Sequence, residues 1–243
     1  MSNRKVSFAS GEYYHIYNRG NSKQNIFLDD TDYERFTKLL YLCNSSKSIN
    51  FRDDIVSQNI DAWDFDRGKP IVSIGALVLM PNHFHIYTTV PHSPRFPRQR
   101  LGELGEGKDP ISYFMHKLCT GYSMYSNKKY KRTGKLFDGP FKSVHIEQDN
   151  QAKYLFSYIH LNPVKLIDPA WKEKGIKNFN KTLEFLNTYR WNSYQDYRGQ
   201  KRPENKIISP KDFPDYFSGQ NIFDEEIFEW LNFKEDNLIL GVT

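Results

Sequence analysis

The stretch that decides the fold is residues 71–90, which read IVSIGALVLMPNHFHIYTTV. Residues 71–79 form an apolar run with the length and β-branched content of a strand. Pro81-Asn82 then favours a tight turn, and residues 83–90 follow as a second short strand. The stretch therefore predicts two adjacent antiparallel strands joined by a very short connection.

Two histidines stand at the start of the second of these strands. Side chains two apart in a strand point to the same face, so His83 and His85 aim at one point while Phe84 turns to the packed side. Imidazole suits several divalent metals, which makes the pair half of a candidate metal site. The alternative is an ordinary pair of hydrogen-bonded strand histidines.

The flanking sequence predicts further strands and helices around this pair. We expect strands at 13–18 and 142–147, and helices at about 31–43, 111–127 and 149–160. The last helix is stopped by Pro163. Residues 50–70 are polar and aperiodic, which predicts a loop or small insertion, and 91–110 form a basic loop rich in proline and glycine.

A phenol and an amide oxygen share one face of the last predicted helix. Tyr154, Tyr158 and Asn162 follow one another at intervals of four residues. Such groups could supply a nucleophile and an oxygen ligand, and oxygen beside imidazole fits Mg²⁺ or Mn²⁺ better than a closed zinc site. We prefer Tyr158 to Tyr154 because Asn162 follows it by one turn. The alternatives are a core tyrosine, in a chain with 16 tyrosines, and a helix C-cap at Asn162.

The charge of the chain is unevenly distributed. The formal net charge is +5, but residues 212–236 hold eight acidic residues against one lysine, so the remainder carries +12. A body this basic favours a polyanionic partner, of which nucleic acid is the commonest. The densest cluster, residues 128–135, interleaves a tyrosine with its cations, as single-strand binders do; a solvated charged face is the alternative.

Other features bound the setting of the chain. The two cysteines are far apart, the first residues lack an apolar signal region, and no run of 18 apolar residues occurs. We therefore expect a cytoplasmic protein without a membrane span. Residues 1–200 should form one domain, and residues 201–243 an acidic C-terminal extension.

Four stretches together resemble the single-tyrosine HUH transposases, specifically the branch of REP-associated tyrosine transposases. They are YHIYNRGN at 14–21, LMPNHFH at 79–85, GKLFDGPFKS at 134–143 and YIHLNPV at 158–164. Each stretch is a weak signal, but their order and spacing are specific. The resemblance covers about residues 10–175.

The resemblance implies an α+β, ferredoxin-like fold: a central antiparallel sheet with helices packed against it. It also implies an enzyme that cuts single-stranded DNA near a REP-like hairpin and forms a 5′-phosphotyrosine intermediate. Carried over to this chain, Tyr158 is the nucleophile, and His83, His85 and Asn162 hold Mg²⁺ or Mn²⁺. Related transposases have glutamine at the third ligand position, so the asparagine departs from their pattern.

We expect the cationic residues to contact the DNA, while His15 on the first strand has a structural or DNA-facing role. The predicted DNA-binding residues are Arg19, Arg95, Arg98, Arg100, Lys128, Lys129, Tyr130, Lys131 and Arg132. We expect a monomer, with a dimer as the alternative.

Two other functions remain open at the level of sequence. In a metal-dependent phosphodiesterase, water would attack in place of Tyr158 and no protein–DNA adduct would form. A transposase descendant without activity would only bind DNA or RNA. A two-histidine phosphoesterase is disfavoured, because it would need a second histidine pair of the same kind with a hydroxyl residue.

Overall fold

A four-stranded antiparallel sheet forms the centre of the computed structural model, which describes residues 8–91, 109–215 and 220–231. Its strands are β1 (Tyr13–Arg19), β2 (Ser73–Met80), β3 (His83–Thr89) and β4 (Lys142–Ile146). They are ordered β2-β3-β1-β4, and every neighbouring pair is antiparallel. The two central strands are β1, which contains His15, and β3, which contains His83 and His85.

The predicted pair of adjacent strands is confirmed. β2 and β3 pair through the two-residue turn Pro81-Asn82, with Met80 opposite His83 and Val78 opposite His85. The register shifts once, between Ile74 and Ala76. Gly75 lies at this shift. A larger residue would not fit there, because its Cβ would stand 2.8 Å from the ring of Phe213, closer than packed carbon atoms approach.

Helices follow the strands in an order that confirms the predicted fold class. They are α1 (Asp30–Cys43), α2 (Pro110–Lys129), α3 (Asp149–Leu161), α4 (Trp171–Lys174), α5 (Phe179–Thr188), α6 (Tyr194–Tyr197) and α7 (Gln220–Leu231). The path β1-α1-β2-β3-α2-β4, with β1 and β3 in the middle, is the ferredoxin-like arrangement. α1 and α2 each begin at an aspartate whose side chain accepts a backbone N–H of the first turn.

The sheet separates two hydrophobic cores. α1 and α2 cover one face, where the Phe84 ring is fully buried 5.1 Å from that of Phe36. α3 packs on the other face against Val78 and Met80. Because side chains alternate along β3, burial of Phe84 in the first core turns both histidines toward α3.

Segments after α3 complete the second layer. Residues 191–193 continue the sheet beyond β2, with Leu79 N–H donating to the Trp191 carbonyl at 2.8 Å and Ser193 N–H to that of Leu77 at 3.0 Å. This pairing covers an otherwise open edge. Phe223 and Ile227 of α7 are buried in the same core as α3, so the described part of the acidic extension packs on this body.

The structure describes the two predicted loops to different extents. The expected loop at 50–70 contains one short π-helical segment, Phe51–Val56. Most of the basic loop at 91–110 lies outside the described residues. Among the residues that the structure describes, no helix is both long and apolar enough to cross a membrane.

Candidate active site

His83 and His85 lie side by side on the face of the sheet covered by α3. Their ring centroids are 5.0 Å apart with planes at 82°. On the neighbouring strand β1, Arg19 pairs with His83 and Tyr17 with His85. His85 is 3% exposed, whereas His83 at the strand end is partly open to solvent. The spacing prediction that both imidazoles share a face is therefore met.

α3 brings Tyr158 against this histidine pair. The Tyr158 ring meets the His85 ring edge-to-face, with centroids 5.3 Å apart, and the residue is 7% exposed. Tyr154 stacks parallel to Tyr158 at 6.3 Å, one turn further from the cavity that Tyr158 lines. Of the two tyrosines considered from the sequence, Tyr158 thus lines the cavity and contacts the ring of His85.

A buried imidazole fixes the position of α3 on the sheet. His160 Nδ1 donates to the Phe156 carbonyl at 2.8 Å, and Ser193 Oγ donates to His160 Nε2 at 2.8 Å. Ser193 Oγ in turn accepts from the backbone N–H of Leu77 on β2 at 3.0 Å. Burial lowers the pKa of His160 to about 3, so the ring stays neutral and keeps this pattern of one donor and one acceptor.

Asn162 continues the line of Tyr158 past the end of α3. Its backbone is helical (φ −52°, ψ −39°) although Pro163 follows, because the chain passes into a 3₁₀ helix, Asn162–Leu166. Asn162 is 3% exposed. Burial lowers the pKa of His83 to about 4, and the nearby Asn162 side chain opposes this shift while Lys165 adds to it. The structure therefore brings Asn162 to His83, as the i+4 spacing predicts.

Two atoms of this group are buried without a hydrogen-bond partner among the described residues: His85 Nε2 and Asn162 Oδ1. Buried polar atoms are nearly always paired, so an unpaired imidazole nitrogen and amide oxygen on one site call for a ligand. His83 Nδ1 is 2.6 Å from Asn82 Oδ1, which makes Nδ1 the donor and leaves Nε2 unprotonated. Burial, with the charges of neighbouring groups, also holds the pKa of His85 well below its usual value. Neutral imidazoles and an amide oxygen fit a divalent cation.

Asn162 is the third ligand that the sequence predicts for such a centre. Among the described residues, no cluster of three or more His, Cys, Asp or Glu side chains has the geometry to hold a metal ion. With the predicted Asn162 as third protein ligand, a metal at this site would keep positions for other oxygen donors. That open, oxygen-rich set is typical of Mg²⁺ or Mn²⁺ sites.

The site opens into a cationic cavity of about 740 Å³. Its positively charged lining residues are Arg19, Lys23, Lys142, Lys165 and Lys172. Within the described residues its one acidic side chain is Asp138, which pairs with Arg19 at 3.3 Å. The Lys172 ammonium lies 4.1 Å from the centroid of the Tyr158 ring. The cavity thus suits an anion next to the phenol.

The predicted DNA-binding residues do not all lie at the cavity. Arg19 lines the cavity, whereas residues 128–132 are not among its lining residues as described. The Lys129 ammonium contacts Asp29 at 2.7 Å and Asp32 at 2.8 Å, and Tyr130 donates to Asp32 at 2.7 Å. Their role in DNA binding stays a prediction. Arg95, Arg98 and Arg100 lie outside the described residues.

Sequence reasoning missed four of the five cavity cations. Lys23, Lys142, Lys165 and Lys172 come from four separate segments of the chain. Only Lys165 carried a usable signal, because it follows Asn162 by three residues and so shares its helical face. The others become neighbours only when the sheet and its loops are in place.

Comparisons with known proteins give a distant likeness to a solved structure. No family model matches the chain, and no curated protein matches it either. A solved structure described as "Structure of the REP associates tyrosine transposase bound to a REP hairpin" superposes with a TM-score of 0.48 at 15% identity. The match covers 84% of this chain and 90% of that one.

Proposed function

We propose that this chain is a metal-assisted DNA strand transferase that cuts single-stranded DNA near a hairpin, with Tyr158 as the nucleophile. The observation that carries the proposal is the contact of Tyr158 with His85 at the wall of a cationic cavity. A phenol, a neutral histidine pair and a cluster of lysines in one cavity match the needs of phosphoryl transfer.

His83, His85 and Asn162 would hold Mg²⁺ or Mn²⁺. When bound, the metal would polarise the scissile phosphate as a Lewis acid and neutralise part of its charge. The unpaired His85 Nε2 and Asn162 Oδ1 support this assignment, since both are buried polar atoms of the site without a hydrogen-bond partner within the described residues.

The cavity cations would bind and orient the DNA strand. Arg19, Lys23 and Lys142 line the cavity together with the ring of Tyr17. Lysine and arginine side chains hold backbone phosphates, and an aromatic ring offers a surface on which a base can stack. Stacking on a protein ring requires an unpaired base, which favours a single strand as the substrate.

Tyr158 would attack the phosphorus of the bound strand. The Tyr158 Oη–P bond forms while the P–O3′ bond breaks, and the proton lost by the phenol balances the one gained by the 3′ oxygen. Lys172, whose ammonium lies against the Tyr158 ring, would stabilise the phenolate. A phenolate leaves phosphorus more readily than an alkoxide, so a DNA 3′-hydroxyl can reverse the step and rejoin strands.

One chain supplies the complete site. Tyr158 and both histidines meet within a single copy, with α3 held to β2 through His160 and Ser193. The site as described needs no exchange of the tyrosine helix between copies, and a monomer stays a prediction.

The proposal is tested with labelled, hairpin-containing single-stranded DNA and Mg²⁺ or Mn²⁺, resolved on a denaturing gel. We expect a covalent protein–DNA band that Tyr158→Phe abolishes and the matched variant Tyr154→Phe retains. Cleavage by Tyr158→Phe at the parent rate would assign the attack to water instead. DNA binding by the parent without any cleavage would identify a binding protein that has lost activity.

A further inference from the structure

His15 is hydrogen-bonded to His85 but has no role in the reaction proposed above. It lies on β1 and is fully buried, with Nε2 2.8 Å from His85 Nδ1. The two rings stack with centroids 5.0 Å apart and planes at 25°. His85 lines the cavity, whereas His15 is not among its lining residues as described. His15 therefore reaches the site only through His85.

A hydrogen bond between two imidazole nitrogens contains one proton, so one ring donates and the other accepts. If His15 donates, His85 carries its own proton on Nε2, where it blocks a ligand. If His85 donates from Nδ1, its Nε2 keeps a bare lone pair toward the cavity. Only the second arrangement allows His85 to bind a cation.

Hydrogen bonding alone does not favour either arrangement. His15 Nδ1 and His85 Nε2 both lack a partner within the described residues, so each arrangement leaves one donor and one acceptor unpaired. The charge of the cavity separates the two, because Lys165 and Lys172 lie on the side that His85 faces. A bare nitrogen is the negative end of the imidazole dipole and is stabilised by nearby cations, whereas an N–H is not.

We infer that His15 is a positioning residue, which accepts the Nδ1–H of His85 and so presents the Nε2 lone pair of His85 to a divalent cation. The inference rests on the metal site of the proposed function. Ligating histidines commonly donate their second N–H to a neighbouring group, and loss of that group weakens metal binding by about 10- to 100-fold. Here a second imidazole takes the place of the usual carboxylate or carbonyl.

Two variants at the same position separate this role from simple packing. His15→Phe keeps a planar ring but removes the acceptor, whereas His15→Gln keeps an acceptor oxygen at about the distance of Nε2. We expect His15→Phe to weaken Mn²⁺ binding at least tenfold and His15→Gln to stay within about threefold of the parent. Mn²⁺ titration followed by electron paramagnetic resonance measures this without DNA, and thermal unfolding shows whether each variant is folded.

The protonation state is read directly in the metal-free parent protein. In protein labelled with ¹⁵N-histidine, two-bond proton–nitrogen correlations identify which nitrogen of each ring carries hydrogen, and His15→Gln assigns the signals. We expect the protons on His85 Nδ1 and His15 Nδ1. This readout needs no fold-disrupting variant.

The outcomes are distinct. A proton on His85 Nε2 in the parent overturns the inference, as does equal Mn²⁺ affinity in folded His15→Phe and His15→Gln. If the parent itself does not bind Mn²⁺, the metal proposal fails, and the positioning role fails with it even if the proton lies on His85 Nδ1. A covalent DNA adduct that His15→Phe forms slowly at limiting Mn²⁺ but at the parent rate at saturating Mn²⁺ would leave the tyrosine chemistry standing and confirm that His15 acts through the metal.

Discussion

Replacing Lys172 by methionine tests whether the cavity activates the nucleophile. The Lys172 ammonium lies 4.1 Å from the centroid of the Tyr158 ring, and its charge also contributes to the lowered pKa of His85. Methionine keeps most of the length and apolar area of lysine but removes the charge. Any loss of activity in Lys172→Met therefore reports on charge.

The magnitude follows from the Coulomb energy between this ammonium and a phenolate. At a separation of roughly 6 Å, a unit charge contributes about 0.7 kcal/mol in bulk water and about 2.8 kcal/mol at an effective dielectric constant of 20. Lys172 is exposed, so solvent screens the interaction and an intermediate value of about 1.4 kcal/mol applies. We expect adduct formation to slow about tenfold, and the pH of half-maximal rate to rise by about one unit.

The assay is single-turnover formation of the covalent adduct at saturating DNA, measured from about pH 6 to pH 10. Lys174→Met is the matched control, because Lys174 is exposed on the same helix α4 but is not among the described cavity residues. Lys172→Arg should restore most of the rate, since it restores the charge. Saturating DNA removes any contribution from weaker binding.

Two results would refute this reasoning. If Lys172→Met matches Lys174→Met at every pH, the charge at this position does nothing for the attack. If Lys172→Met weakens DNA binding and reduces its salt dependence but leaves the pH profile in place, Lys172 is a phosphate contact and not an activator of Tyr158.

The predicted ligand Asn162, the ion pair of Lys129 and the buried His160 can each be tested by substitution. Asn162→Leu should lower Mn²⁺ affinity at least tenfold, while Asn162→Asp should preserve it; calorimetric titration with equal affinities for both variants would remove the amide from the ligand set. Lys129→Met should lower the free energy of unfolding by about 2 kcal/mol in urea, because it leaves the buried Asp32 carboxylate without its cation, and exposed Lys131→Met should change it by under about 0.5 kcal/mol. With EDTA present, the free energy of unfolding should fall by about 2 kcal/mol from pH 6.5 to pH 4.5 through His160: its pKa of about 3 keeps it neutral when folded, while the unfolded chain gains the proton. A slope in His160→Asn as steep as in the parent would contradict that assignment.

Local sequence patterns were sufficient for the four strands, for the helices α1, α2 and α3, and for the pairing of β2 with β3, but they gave no signal for α5. Residues 71–90 contain both strands and their turn, so register needed no distant information. The sheet face to which each side chain of β3 points also followed from the sequence. Side chains alternate between the two faces, so the burial of Phe84 on one face directs His83 and His85 to the other. Helix spacing placed Tyr158 and Asn162 on one side for the same reason.

Contacts between distant segments were beyond the reach of these patterns. His15 and His85 are 70 residues apart, and their hydrogen bond exists because β1 lies next to β3 in the sheet. His160 gave no sign of its structural role, because its partner Ser193 is 33 residues further along. Both imidazoles are fully buried, a property that composition and periodicity do not report for a polar residue.

The charged residues show most clearly that sequence patterns do not report contacts between distant segments. The densest run of cations in the sequence, residues 128–135, includes Lys129, whose charge is offset by Asp29 and Asp32 at the start of α1. The cavity instead collects single cations from separate segments, and Asp138 is its one acidic neighbour in the described chain. An anion responds to the summed field of all nearby charges, so Lys172 beside Tyr158 can matter more to a phosphate than Lys129, whose counter-charges are already in place.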